Sequence, residues 1–95
     1  MHAVIGQVKI KPGRADEVLS MVRKGGVAML RGMAGSERGY WARTLEGETI
    51  QHSFWLFDTE EHARGAETTF NTLRGMPDAP ATFVSVEVCR IIGQA

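Results

Sequence analysis

The segment Thr49–Phe57 constrains the fold of this chain more than any other, because it carries large apolar side chains at successive positions. Side chains along a strand alternate between the two faces of its sheet. One face would therefore carry Phe54 and Leu56, and the other Trp55 and Phe57. A sheet with one face in solvent alternates instead between apolar and polar residues. The segment predicts a sheet that is buried on both faces.

The rest of the chain predicts three further strands and two helices. Apolar residues at helical spacing indicate a first helix over 14–30, with a kink or break at Gly25–Gly26 because glycine is a poor helix former. A second helix is predicted to begin at Asp58 or Thr59, and Glu61 follows Asp58 at the spacing of a capping box. Strands are predicted over 2–11, 38–45, 49–57 and 83–92.

The order strand–helix–strand–strand–helix–strand places the chain in the α+β class. It most simply forms a ferredoxin-like βαββαβ fold, an antiparallel sheet with both helices on one face. A length of 95 residues suits one domain over positions 1–95. In the last strand, simple alternation places Val84, Val86 and Val88 on one face. The same alternation places Phe83 and Cys89 on the other face.

Two helices on one face leave the opposite sheet face uncovered in a single chain. Burying about five large apolar side chains there contributes roughly 1.5–3 kcal/mol each, enough for dimerisation at about micromolar Kd or tighter. We therefore expect a homodimer through the sheet face, with the His52, Phe54 and Leu56 side against the second subunit. The Trp55 and Phe57 side would meet the helices and any ligand. The alternative is a monomer whose C-terminal tail covers the exposed face.

The charge balance argues against several classes of partner. Lys+Arg and Asp+Glu both number 11, so the formal net charge is zero and neither nucleic acid nor a membrane surface is an expected partner. No apolar stretch approaches the roughly 20 residues that span a bilayer, and the first residues lack the pattern of a signal peptide. We expect a cytoplasmic protein. Cys89, the one cysteine, is interpreted as a small buried apolar residue.

Sequence motifs for metal and cofactor chemistry are absent. The chain has no glycine-rich phosphate loop, no GxSxG, no HExxH and no CxxC. His2, His52 and His62 do not have the spacing of metal ligands. We therefore expect neither a metal nor a cofactor.

An aromatic group on the central hairpin is the candidate site. Apolar clefts with a few polar groups are the usual form of a small-molecule site. His52 is a candidate acid–base group because its ordinary pKa lies near neutrality, and Arg43 is a candidate partner for an anionic ligand. The candidate substrate-binding residues are Tyr40, Trp41, Ser53, Trp55 and Phe57.

A structural interpretation of the same residues stays open. The aromatic residues would then pack in the core or in the dimer interface. His52 would be an interior histidine with satisfied hydrogen bonds, and Arg43 would be a solvated surface residue.

Three stretches of the chain resemble the antibiotic biosynthesis monooxygenase domain. They are Val8-x-Ile10-Lys11-Pro12-Gly13-Arg14-x-x-Glu17, then Gly35 opening an aromatic-rich strand, then Ser53-Phe54-Trp55-x-Phe57-Asp58-Thr59-Glu60-Glu61-x-Ala63. The resemblance covers nearly the whole chain and implies a dimeric α+β barrel. It also implies cofactor-independent oxygenation of electron-rich aromatic or quinol-type substrates.

The resemblance also separates two branches of the family. The haem-degrading branch uses an Asn on the first strand, a Trp at the end of the third and a His on the second helix. The matching positions here are Gly6 or Gln7, Phe57 and about Glu67, so haem degradation is not expected. The quinol-oxidising branch uses a Trp on the third strand with nearby Asn, Tyr and Arg. Trp55 matches the Trp, and Tyr40 and Arg43 are candidates for the Tyr and Arg, but the first strand has no Asn.

Two functions follow as hypotheses. The first is a cofactor-free monooxygenase that holds an aromatic or quinol-type substrate against Trp55, with His52 or Arg43 assisting. The second is a non-catalytic dimeric module that binds a small molecule or only packs. A cavity with polar groups near Trp55 favours the first, and a filled core favours the second.

Overall fold

A computed structural model describes residues 1–47 and 49–95 of the chain. The elements are β1 (His2–Ile10), α1 (Ala15–Met21), a π-helical segment (Val22–Gly26), α2 (Val27–Arg31), β2 (Ser36–Arg43), β3 (Ile50–Phe57), α3 (Glu60–Arg74) and β4 (Ala81–Arg90). The four strands form one antiparallel sheet in the order β2-β3-β1-β4, and the helical segments pack against one of its faces. The predicted α+β ferredoxin-like fold is therefore confirmed.

The first helical stretch departs from regular α-helix where its two adjacent glycines lie. The π-helical segment Val22–Gly26 separates α1 from α2 and ends on Gly25–Gly26. Glycine lowers local helix stability, which permits the wider π turn. The helix is therefore irregular near these glycines, but the irregularity is a π turn within a continuous helical path, and the expected break is not observed.

The second long helix is capped by Thr59. The Thr59 side chain accepts a hydrogen bond from the His62 backbone N–H at 3.2 Å. His62, rather than Glu61, therefore holds the third helical position, and the capping box based on Asp58 and Glu61 is wrong. Asp58 instead binds the His62 ring, with 2.6 Å between its Oδ1 and Nδ1.

β3 has the two faces that its alternation predicts. Trp55 is 2% exposed and Phe57 is fully buried, and both belong to the core beneath the helices. Phe54 and Leu56 are half-buried on the opposite face. We call the helix-covered side the inner face and the other side the outer face.

β4 does not follow simple alternation. Gln7 pairs with Ser85 while Val8 pairs with Phe83, so Val84 is an extra residue that forms a β-bulge. A bulge shifts every later side chain by one position relative to the pattern. The predicted separation of Phe83 from Val86 and Val88 is therefore wrong, because all three pack against the inner-face core.

Within the described residues, no helix is long and apolar enough to cross a membrane.

Candidate functional site

A cavity of about 800 Å³ lies between the inner face of the sheet and the helical layer. Its other walls come from α1, the π-helical segment, Met29 of α2, Phe70 and Leu73 of α3 and the loop 76–80. This is the size range of pockets that hold small organic molecules. The residues that the sheet contributes are Val8, Trp41, Gln51, Ser53, Trp55, Ala81 and Phe83.

Contacting aromatic rings form one side of the cavity. The ring centroids of Trp55 and Phe70 are 4.1 Å apart at an interplanar angle of 32°. Trp41 meets Trp55 edge-on at 5.9 Å, and Phe83 meets Phe70 edge-on at 5.8 Å. Such pairs add to the stabilisation from burial and restrict ring movement. The indole of Trp55 is therefore held in one position.

The Trp55 indole N–H lacks an acceptor. In the described part of the chain, two buried side-chain nitrogens have no hydrogen-bond partner, His2 Nδ1 and Trp55 Nε1. Leaving a buried donor unpaired costs about 1–3 kcal/mol, so a native example calls for a reason. Trp55 is also one of the residues that line the cavity.

Gln51 and Ser53 add polar atoms to this apolar cavity. Both are buried, at 7% and 6% exposure, and both lie on the inner face of β3 with Trp55. Side chains two apart on a strand repeat at about 6.6–6.8 Å, so the three groups form a row along the cavity floor. Sequence reasoning missed Gln51, although its position four residues before Trp55 on the same face was a usable signal.

Gly6 of β1 lies directly beside this row. A Cβ atom at Gly6 would lie 2.7 Å from Ser53 Oγ and 3.2 Å from the Phe70 ring. A side chain at Gly6 would therefore require Ser53 and Phe70 to shift, and both belong to the cavity wall. Phe70 was also missed by sequence reasoning, because nothing in its own helix pattern distinguishes a cavity wall from core.

Arg43 contacts protein groups rather than the cavity. Its Nε donates to Gln51 Oε1 at 3.1 Å, and its Nη2 donates to the Ala15 backbone oxygen at 2.7 Å. Among the described residues that line the cavity, Gln51 is present and Arg43 is not. The structure therefore places Arg43 behind the site.

The predicted site residues do not all come together. His52 is exposed on the outer face, as is Tyr40 at 56% exposure, because both alternate away from Trp55 and Trp41. Phe57 faces inward but lies fully buried in the core, outside the cavity lining. Trp41, Ser53 and Trp55 are the predicted residues that the cavity unites.

Ion pairs hold the entrance of the cavity. Arg14 donates to both Glu17 oxygens at 2.8 Å and to Asp78 Oδ1 at 3.3 Å, which links α1 to the loop 76–80. The hydrogen bond from the Arg14 guanidinium lowers the pKa of the Glu17 carboxyl. Glu17, Asp78 and Lys24 all line this entrance, and the two carboxylates already have a cation partner.

Metal ions and haem iron are held by particular kinds of protein side chain. No three His, Cys, Asp or Glu side chains within residues 1–47 and 49–95 are grouped to hold a metal ion. Haem iron is usually held by His, Cys or Tyr, or by Met with His. Among the described residues of the cavity lining there is no His, Cys or Tyr. The residues present therefore do not fit haem ligation.

Comparison with solved structures identifies the fold. The haem-degrader MhuD from Mycobacterium tuberculosis, solved with two haems in its active site, matches at TM-score 0.77 and 13% identity over 100% of this chain and 99% of MhuD. The ActVA-Orf6 monooxygenase of Streptomyces coelicolor, solved with nanaomycin D, matches at TM-score 0.68 and 13% identity over 99% and 89%. A Chloroflexus aurantiacus protein assigned as an antibiotic biosynthesis monooxygenase matches at TM-score 0.69 and 13% identity over 99% of this chain and 95% of that protein.

Sequence comparison adds no closer relative. No family model matches the chain, and no curated protein matches it. At 13% identity the structural matches concern the fold. The resemblance to antibiotic biosynthesis monooxygenases seen in the sequence is therefore confirmed in the fold of the whole chain.

Proposed function

We propose that this protein is a cofactor-independent monooxygenase that acts on an aromatic or quinol-type small molecule held in the inner-face cavity. The observation that carries the proposal is the buried, unpaired Nε1–H of Trp55, a residue that lines a predominantly apolar cavity of about 800 Å³. A ligand with aromatic rings would pack against Trp41, Trp55 and Phe70. A hydroxyl or carbonyl oxygen on that ligand would accept the unpaired hydrogen.

The chemistry assigned to the cavity is oxygenation of a phenol ring. A phenol and dioxygen give a quinone and water: one oxygen atom forms the new C=O bond, the O–O bond breaks, and the other oxygen leaves with the ring hydrogen and the hydroxyl hydrogen. The substrate supplies all the electrons. Hydrogen bonds to an oxyanion lower the pKa of its parent hydroxyl. Trp55 Nε1–H and the Gln51 amide would stabilise the phenolate, the form that reacts with dioxygen.

The remaining predicted site residues take different places in this proposal. Arg43 would act through Gln51, to which it is hydrogen-bonded. His52 lies on the outer face and is not assigned a role in this cavity. Haem degradation is not proposed, because the cavity lining lacks the ligands for haem iron in the described residues.

We also propose that the protein is a homodimer through the outer face. Tyr40, Phe54 and Ile5 stand side by side across three strands on that face. Val84 is 53% exposed on the bulge of β4, and Phe54 is half-buried. A second copy would remove this apolar surface from water, as the dimeric barrels of the resembled family do.

Oxygen uptake by the purified protein tests the enzymatic proposal. After treatment with a chelator, the wild type should consume oxygen with at least one member of a panel of naphthols and hydroquinones. Trp55→Phe should lower the rate at least about tenfold, because one hydrogen bond to the phenolate anion contributes about 1.5–3 kcal/mol. Ligand binding without oxygen uptake would overturn catalysis and favour the non-catalytic binding module.

A further inference from the structure

The side-chain amide of Gln51 has only one orientation that its surroundings accept. Arg43 Nε carries a hydrogen and can only donate, so the Gln51 atom 3.1 Å away must be the oxygen. The reverse orientation would set two donors against each other. The amide nitrogen, with two hydrogens, is therefore the atom left for the cavity that Gln51 lines.

Arg43 is itself held by a second contact. Its Nη2 donates to the Ala15 oxygen at 2.7 Å, in the first turn of α1. Arg43 and Gln51 are also direct partners across the β2–β3 ladder. The guanidinium is thus fixed by two strands and a helix, and its planar shape suits two simultaneous hydrogen bonds in different directions.

We infer that Arg43 is a positioning residue that fixes the Gln51 amide with its N–H₂ available to the cavity, which makes Gln51 a second donor that selects oxygen-bearing ligands. This inference deepens the proposed function and rests on the same cavity. Trp55 Nε1–H is one donor at one end of the row on β3, and Gln51 is the donor at the other end. Both would favour a ligand with oxygen atoms over the bare hydrocarbon of the same shape.

Binding of two matched probes separates this role from catalysis. Menadione carries two carbonyl oxygens on a methylnaphthalene skeleton, and methylnaphthalene has none. Isothermal titration calorimetry reports the Kd of each probe. All proteins carry Cys89→Ser, because the thiol is half-buried and quinones alkylate thiols. The measured quantity is the ratio of the two Kd values.

The wild type should bind menadione more tightly than methylnaphthalene. Arg43→Met and Gln51→Leu should each lower that preference about three- to tenfold, the factor that one hydrogen bond of ordinary net strength supplies. The double variant should lose no more than either single variant, because the two residues act as one unit. Arg90→Met removes an exposed arginine outside the cavity and should leave the preference unchanged.

Gln51→Glu gives the sharpest control. The carboxylate keeps an acceptor for Arg43 but replaces the N–H₂ donor with an oxygen. The preference for menadione should disappear while the melting temperature stays within a few degrees of the wild type.

Three results would contradict the inference. In the first, Arg43→Met weakens both probes equally and lowers the melting temperature, as expected of a residue that only ties β2 to α1. In the second, Gln51→Glu keeps the preference. In the third, the wild type shows no preference or binds neither probe. None of these readouts depends on oxygen uptake, so failure of the catalytic proposal alone leaves the expected ratios intact.

Discussion

The indole of Trp55 packs against the ring of Phe70 with their centroids 4.1 Å apart, and this contact fixes a buried N–H that has no acceptor in the described residues. Leaving this buried donor unpaired costs about 1–3 kcal/mol, which a ligand oxygen that reaches it would offset. The candidate site is therefore built around one aromatic contact, and the polar residues of β3 extend it along the cavity floor.

Trp55→Phe should weaken binding of an oxygen-bearing probe selectively. The variant keeps an aromatic ring against Phe70 and removes the unpaired donor, so the ratio of methylnaphthalene Kd to menadione Kd should fall about three- to tenfold. Trp41→Phe is the matched control. Trp41 lines the same cavity, but among the described residues its N–H is not one of the buried, unpaired donors. An equal loss in both variants would show that ring packing alone governs binding.

Gly35→Ala should destabilise the fold. Gly35 has a φ of +74°, and a Cβ there would collide with His62 Nδ1 and Asp58 Oδ1. The strained backbone and the collision together should lower the free energy of unfolding by about 1–4 kcal/mol. Chemical denaturation measures the change.

Gly65→Ala is the control for that substitution. Gly65 lies in α3 with open space around its Cβ position, so alanine should raise the free energy of unfolding by about 0.5–1 kcal/mol. Similar effects at the two positions would mean that the packing of Gly35 against the Asp58–His62 pair is unimportant.

Asp58 should titrate below the ordinary range. Its hydrogen bond from His62 is the main cause that lowers the pKa of the carboxyl in the folded chain. Because the folded pKa is depressed, the resulting stabilisation is present above the unfolded value of about 3.9 and is lost as pH falls through the folded value. NMR titration of the carboxyl carbon checks this, and His62→Ala should return the pKa toward its ordinary value. An unchanged pKa in His62→Ala would contradict the assignment.

Phe54→Lys should abolish dimerisation without unfolding the chain. Phe54 is half-buried on the outer face between Tyr40 and Ile5, where a charge would face the second copy. Sedimentation at low micromolar concentration should show a dimer for the wild type and a monomer for the variant. Leu45→Lys, at a position 98% exposed in the turn after β2, should remain dimeric. A monomeric wild type would contradict the proposed interface.

The sequence predicted the elements and the faces of β3 because both follow from local periodicity. The apolar alternation of Gln51 to Phe57 sets Trp55 toward the helices whatever else the chain does. The same rule separates His52 from Trp55, so their proposed partnership was inconsistent with the alternation itself. The β4 faces failed for a different reason. The bulge at Val84 depends on pairing with β1, which no window of β4 sequence contains.

The sequence predicted a candidate site beside Trp55 but not the other walls of the cavity, because those walls are distant in the chain. The Arg14–Asp78 contact joins residues 64 positions apart, and Gly6 on β1 lies beside Ser53 on the neighbouring strand β3. Thr59, rather than Asp58, is the N-cap of α3, and this places His62 instead of Glu61 at the third helical position. Such outcomes depend on tertiary packing rather than on local preference.

The fate of labelled dioxygen tests the central claim most directly. The chelator-treated protein would be given a naphthol under isotopically labelled dioxygen, and the product quinone and the water would be analysed by mass spectrometry. We expect one labelled oxygen atom in the quinone, the other in water, and at least about tenfold less labelled product with Trp55→Phe. Product without label, or equal labelling with Trp55→Phe and with no protein, would contradict it.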